Sequence, residues 1–342
     1  MQLSDFHYEV PDTLIADHPP AMRGESRLLA LNRTTGAIDD RMYGDCVDYF
    51  DAGDVLVIND TKVIKARLIA HKINGAKREL VLVEKHGEQD DWHRHRVLYR
   101  RSLKVGDELM IGPHAVTVDS IEGDGVAIIR SELSLLDIAE EFGSVPLPPY
   151  MRRQSSKEDE ERYQTVFARE IGSVAAPTAS LNMTDETIAR LRAKGVVVVY
   201  ATLHVGLGTF LPIRVDDVTK HHMHKEYFQI PKSTVEAIQK AKAEGKAVTA
   251  LGTTITRTLE YAHDHILNQA PADIEGEADI FMYPGYKFKL INRLMTNFHA
   301  PESTVLMLTA AFAGWDKLRP AYEHAVAEQY MFFSYGDSMI IY

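Results

Sequence analysis

Two rhythms of apolar and polar residues run along the chain, and they divide it into parts. Between residues 63 and 130 short β-type runs recur, at 63–70, 79–84, 96–99, 108–111, 115–121 and 125–130. Gly75, Gly87, Gly106, Gly112 and Gly123 interrupt them. Short strands with turn signals at about ten-residue spacing predict a small β-barrel. On either side the pattern changes to strands alternating with helices. Apolar runs at 28–31, 55–58, 196–200 and 247–251 suit buried strands. A helix is expected over 185–194, with Thr184 as N-cap, acidic residues in its first turn and Gly195 past its end. A second should start at a Ser233/Glu236 capping box and stop at Gly245, and a third should run from Gly252-Thr253-Thr254 to Glu260. Residues 279–283 read as a strand closed by a Pro284-Gly285 turn. The stretch VPLPPY, residues 145–150, is too rich in proline for an interior helix or a central strand, so it reads as the return from the barrel. SSKEDEE, residues 155–161, reads as a charged loop.

The expected fold class is therefore an α+β/mixed α/β main domain, built from residues 1–61 and 146–342, with an inserted small β-barrel domain at 62–145. A chain of 342 residues with 45% hydrophobic content can support both units. Its one cysteine, Cys46, excludes a disulfide framework or a cysteine-based metal site within one chain. The first residues carry Asp5, Glu9 and Asp12 without an apolar core, so no signal peptide is expected. No apolar run approaches the roughly 18 residues of a membrane span. A cytoplasmic protein with no membrane contact, and a monomer, is the expectation. A formal charge of −11 argues against general polyanion binding. One local segment, WHRHRVLYRRSLK, departs from that balance. Its Arg94, Arg100 and Arg101 could hold phosphates, or form a solvated strand face.

Candidate chemistry concentrates in a few stretches. Residues 279–304 pack Tyr283, Phe298 and His299 among turns and lysines, as a site wall would. GSVAAPTASLNMT has small residues that let a ligand approach backbone, with Pro177 and Thr178 at a turn. LHVGLGTFLP holds Gly206 and Gly208, but residue 211 is Leu, so the dinucleotide fingerprint is incomplete. HHMHKE suggests metal, yet lacks companion ligands at a recognisable spacing, so hydrogen-bonding or acid–base work by His224 and Glu226 is the better reading. GTTITRTLE offers Thr253 and Thr254 at a helix start, with Arg257 and Glu260 placed to pair with each other. FFSYGD brings aromatics beside Asp337.

VPLPPYM, ERYQTVFA, GSVAAPTA, TLHVGLGTFLPI, HHMHKEYF, GTTITRTLE, DIFMYPGYKFK, TNFHAPEST and FFSYGDSM stand here in an order that resembles the S-adenosylmethionine:tRNA ribosyltransferase-isomerase family of queuosine biosynthesis. The resemblance covers essentially the whole chain. It implies a mixed α/β domain with an inserted small β-barrel. It also implies transfer and isomerisation of the ribosyl part of S-adenosylmethionine onto 7-aminomethyl-7-deazaguanine in a tRNA, giving epoxyqueuosine, adenine and methionine. The implied partners are S-adenosylmethionine, as ribosyl donor, and a tRNA with a 7-deazaguanine wobble base; no metal and no further cofactor is implied. On this reading the substrate pocket is expected among Pro177, Thr178, Asn182, Gly206, Gly208, Thr253, Thr254, Arg257, Tyr283 and Phe298. Acid–base or polar catalysis is expected from His204, His224, Glu226, His299 and Asp337, and tRNA phosphates on Arg94, Arg100 and Arg101. The chain departs from the family's usual AAPTAGLHF at Ser180, Asn182 and Met183, and carries Asn292 where Asp is frequent. Losing a titratable group at 182 removes any acid–base role there. Two other readings stay open: a relative using another nucleobase or ribosyl donor, and a weakly active or non-catalytic tRNA binder.

Overall fold

The structure is a computed structural model and describes residues 1–87, 91–123, 125–206 and 215–342. Among these residues the main sheet has nine strands, in the order Ile274–Ala278, Glu226–Ile230, Val197–Leu203, Val55–Asn59, Val248–Leu251, Arg293–Asn297, Ser338–Ile341, Arg27–Leu31 and Ile38–Met42. The four from Val197–Leu203 to Arg293–Asn297 are mutually parallel, so their carboxyl ends share one edge. Ser338–Ile341 runs antiparallel to Arg293–Asn297 and brings its amino end to that same edge.

The apolar run at 55–58 forms the sheet centre because it is buried on both faces. Val55 and Val57 enter one core, with Val235 and Ile238 of the helix Lys232–Ala243. Leu56 and Ile58 enter the opposite core, with Ile188 and Leu191 of the helix Asp185–Ala193. This is the period-two geometry of a strand filling two layers at once.

The barrel is closed and antiparallel. Its six strands are Arg67–Lys72, Lys77–Leu82, Arg94–Arg100, Val126–Ser131, His114–Gly123 and Glu108–Ile111, the last pairing back on the first. Closure leaves no open edge. Along Arg94–Arg100, His95 and Val97 point inward while Arg94, Arg96 and Arg100 are exposed. The chain enters the barrel from Thr61–Val63, and Glu170–Ser173 lies parallel to that strand after the return.

Three local expectations are corrected. The strand near 279–283 lies earlier, at Ile274–Ala278, because its ladder to Glu226–Ile230 ends where the Ala278 carbonyl accepts from Arg257 Nη2 (3.2 Å). The turn after it is as expected: Tyr286 N donates to Tyr283 O (3.0 Å), with Gly285 at φ 108°. Lys232–Ala243 begins without the Ser233/Glu236 box. Pro231 precedes it, and Asp273 Oδ1 accepts from Lys232 N (2.6 Å). The charged segment at 155–161 includes the helix Lys157–Arg162, started by a reciprocal Ser156/Asp159 capping box.

Candidate functional site

The carboxyl edge of the parallel strands holds a cavity of about 460 Å³, within the range of small-molecule sites. Ligands of open α/β sheets bind at this edge because strand ends and helix starts meet there. Thr253 and Thr254 begin the helix Thr253–Tyr261 directly after Val248–Leu251. Ser303 caps the helix Thr304–Ala313 by accepting from Leu306 N (3.2 Å). Both helix starts lie on the lining, together with Pro177, Thr178, Thr296, Asn297, Phe298 and His299.

The strand ends are tied to one another by polar side chains. Asn59 Nδ2 donates to Leu203 O (3.0 Å), and its Oδ1 accepts from Thr61 N and Leu203 N, both at 3.1 Å. Ser173 Oγ accepts from Val205 N (2.7 Å) and donates to Ala175 O (2.8 Å), which locks the GSVAAPT and LHVG segments side by side. Phe298 closes the inner wall, edge-on to Tyr322 (5.3 Å) and near Phe332 (5.0 Å). Glu302 and Phe333, both on the lining, hold left-handed backbone at φ 57° and 72°. Non-glycine residues in that region are uncommon and gather at functional sites.

Of the residues expected to form the site, Pro177, Thr178, Thr253, Thr254, Phe298 and His299 are brought together on this cavity. Arg257 lines a small adjoining cleft, which shares Thr253, Thr254, Thr304 and Val305 with it. Arg257 forms a buried ion pair with Glu226 Oε2, and Glu226 Oε1 accepts from Gly206 N (3.0 Å). The expected Arg257–Glu260 pair is therefore not formed. Glu260 instead accepts from the backbone N–H groups of Lys289, Leu290 and Ile291 at 2.9–3.0 Å.

The other expected site residues sit elsewhere. Tyr283 is half-buried against Phe281, off the cavity lining. Gly208 lies outside the described residues. The His224 side chain is exposed. His204 is buried behind the wall, hydrogen-bonded through Nδ1 to Thr61 Oγ1 (2.8 Å). Asp337 accepts from Arg27 N (2.6 Å) and Met331 N (2.8 Å), so both carboxylate oxygens hold backbone. Asn182 accepts from Ser26 Oγ (2.8 Å) and donates to Gly336 O (2.9 Å) and Ser338 Oγ (3.1 Å), off the cavity lining. Of the other departures, Met183 packs in the core, the exposed Asn292 accepts from Val248 N (3.0 Å), and the Ser180 hydroxyl is buried without a partner.

Burial sets the protonation states. His299, hydrogen-bonded to Thr296 Oγ1 (2.8 Å), is pushed down to about 3 by desolvation. Desolvation, with Lys85 and His86 nearby, lowers His204 to about 4. Both imidazoles are neutral near pH 7 and act as hydrogen-bonding groups in the free protein. Desolvation raises the Asp337 carboxyl. Among the described residues no group of three or more His, Cys, Asp or Glu side chains could hold a metal ion.

The cavity also includes residues that motif reading passed over. Pro149 and Tyr150 from VPLPPY form one side, and Tyr150 packs edge-on against Phe333 at 4.9 Å. The proline-rich stretch was legible only as a crossing, because its aromatic tip faces the site through tertiary packing. On the barrel, Arg94 pairs with Asp119 (3.0 Å), while Arg100 and Arg101 are exposed without a side-chain partner among the described residues.

The family model described as "Queuosine biosynthesis protein" matches residues 3–341. This chain belongs to that family. A relative from Pelodictyon phaeoclathratiforme is 54% identical over the whole of both chains, and one from Syntrophotalea carbinolica is 48% identical over the whole of both. Both are named S-adenosylmethionine:tRNA ribosyltransferase-isomerase. The crystal structure of S-adenosylmethionine tRNA ribosyltransferase from Thermotoga maritima is 33% identical, with a TM-score of 0.58, and covers 99% of this chain and 100% of its own.

Proposed function

We propose that the cavity is where this chain carries out the S-adenosylmethionine:tRNA ribosyltransferase-isomerase reaction. The ribosyl part of the donor passes to the aminomethyl group of a 7-aminomethyl-7-deazaguanine in tRNA and is isomerised, giving epoxyqueuosine with release of adenine and methionine. The observation that carries this reading is full-length identity of about half to relatives with that name.

The geometry supports it. Apolar and aromatic walls from Pro149, Tyr150, Pro177 and Phe298 suit a nucleoside. The N–H groups at the two helix starts suit the donor's carboxylate. The sulfonium acidifies the adjacent 5′ carbon, and departing adenine must gain a proton. His299 presents a neutral imidazole to these steps, so it orients and hydrogen-bonds rather than delivering a proton from imidazolium. Arg100 and Arg101 would receive tRNA phosphates on the barrel. The test is mass spectrometry of an anticodon RNA bearing the 7-aminomethyl base, incubated with the protein and S-adenosylmethionine. Epoxyqueuosine together with free adenine is the expected result. Adenine release without that product would replace this reading with a different acceptor.

A further inference from the structure

The buried polar groups of the cavity differ in one respect: Asn297 carries an acceptor with nothing to accept. The residue is 1% exposed and belongs to the lining. Asn297 Nδ2 donates to the Asp337 carbonyl (3.3 Å), which turns Oδ1 the other way. Oδ1 is buried and has no hydrogen-bond partner. A buried, unpaired amide oxygen is costly, and native proteins retain few of them. A buried acceptor left unpaired at a residue of the cavity lining is one that a ligand donor would satisfy.

The kind of donor follows from charge. Among the described residues the one carboxylate on the lining is Glu302, half-exposed and 3.3 Å from His7 Nδ1. Among the described residues no carboxylate lines the cavity beside Asn297: Asp337, whose carbonyl accepts from it, is off the lining, with both carboxylate oxygens on backbone N–H groups. Burying an ammonium or sulfonium against one neutral oxygen would leave its charge uncompensated. A neutral N–H donor on an aromatic ring carries no such cost. Phe298, the next residue, is apolar and also belongs to the lining. Resting on the S-adenosylmethionine reading above, we propose that Asn297 Oδ1 accepts from the exocyclic amine of the donor's adenine. The residue thereby selects a 6-amino purine over its 6-oxo counterpart and places the leaving base at the inner end of the cavity.

Calorimetry with S-adenosylhomocysteine and its deaminated analogue, S-inosylhomocysteine, tests this without turnover. The unaltered protein should bind the amino form at least about tenfold more tightly, as sites built around one hydrogen bond do. Asn297→Ala should bring that ratio towards one, and Asn297→Asp, which keeps an acceptor, should retain a preference for the amino form. Equal binding of both ligands by the unaltered protein overturns the proposal even if the alanine variant fails to fold. So does an unchanged ratio in a folded Asn297→Ala. A 2′- or 3′-deoxy analogue whose penalty disappears in Asn297→Ala, with the amine preference intact, would assign the oxygen to a ribose hydroxyl and overturn the adenine assignment. Failure of the unaltered protein to bind either ligand, alone or with RNA, would instead remove the underlying reading of the cavity.

Discussion

Neutral His299 makes a quantitative prediction about acid stability. The imidazole is half-buried on the cavity lining, and desolvation lowers its pKa from an ordinary 6.5 to about 3. In the unfolded chain the group binds a proton as pH falls through its ordinary value, whereas in the folded chain it does not. Stability is therefore complete above the unfolded value and declines below it, levelling off only near the folded value. One pH unit below the unfolded value, at about pH 5.5, the loss from this group is about 1.4 kcal/mol, and it grows by a similar amount per further unit. His299→Gln keeps a side chain able to hydrogen-bond Thr296 and removes the titration. Urea unfolding of both proteins at about pH 7.5 and 5.5 isolates the effect, because the similar contribution of His204 cancels between them. The variant should lose less stability on acidification than the parent by about 1.4 kcal/mol. Equal losses in the two proteins would show that His299 is not held neutral.

Three further outcomes follow from side-chain partners. Glu226→Gln leaves the Arg257 guanidinium buried beside a neutral amide and should lower stability by about 3–5 kcal/mol, measured by chemical denaturation; a change below about 1 kcal/mol would mean that the pair is solvated. Asn182→His cannot keep three hydrogen bonds with two ring nitrogens and should cost about 1 kcal/mol while leaving turnover nearly unchanged. A large gain in turnover would place residue 182 in the chemistry. Arg100→Glu with Arg101→Glu should weaken tRNA binding and lower the salt slope by about two, one for each lost phosphate contact. Identical slopes would assign RNA to another face.

Much of the architecture was legible because it rests on local rules. The β-barrel followed from strand spacing and glycine turns, and the helix at Thr184 from its capping side chain. The start at Lys232 was misread because a capping oxygen came from Asp273, distant in sequence. The site was legible in pieces. Thr178, Thr253, Phe298 and His299 stand at strand ends or helix starts, where the parallel sheet gathers them. Tyr283 and Asp337 carry the right chemistry in motifs, but their use depends on tertiary partners. Pair formation between Arg257 and Glu260 looked natural at helix spacing. The strand carrying Glu226 claimed the guanidinium first, and a backbone loop claimed Glu260.

The parallel pairing of Thr61–Val63 with Glu170–Ser173 has a mechanical consequence. The strand that leads into the insertion is stitched to Glu170–Ser173 of the main domain, and Asp60 at its root is fastened by Thr202 Oγ1 (2.6 Å) and Arg169 Nε (2.7 Å). Farther out, His86 bridges Glu84 on the insertion and Glu277 on the main sheet, at 3.3 and 3.2 Å. Held at root and flank, the barrel is a bracket on the main sheet. A polynucleotide resting on it would meet the chemistry at a set reach, so the bracket would act as a gauge of which nucleotide arrives.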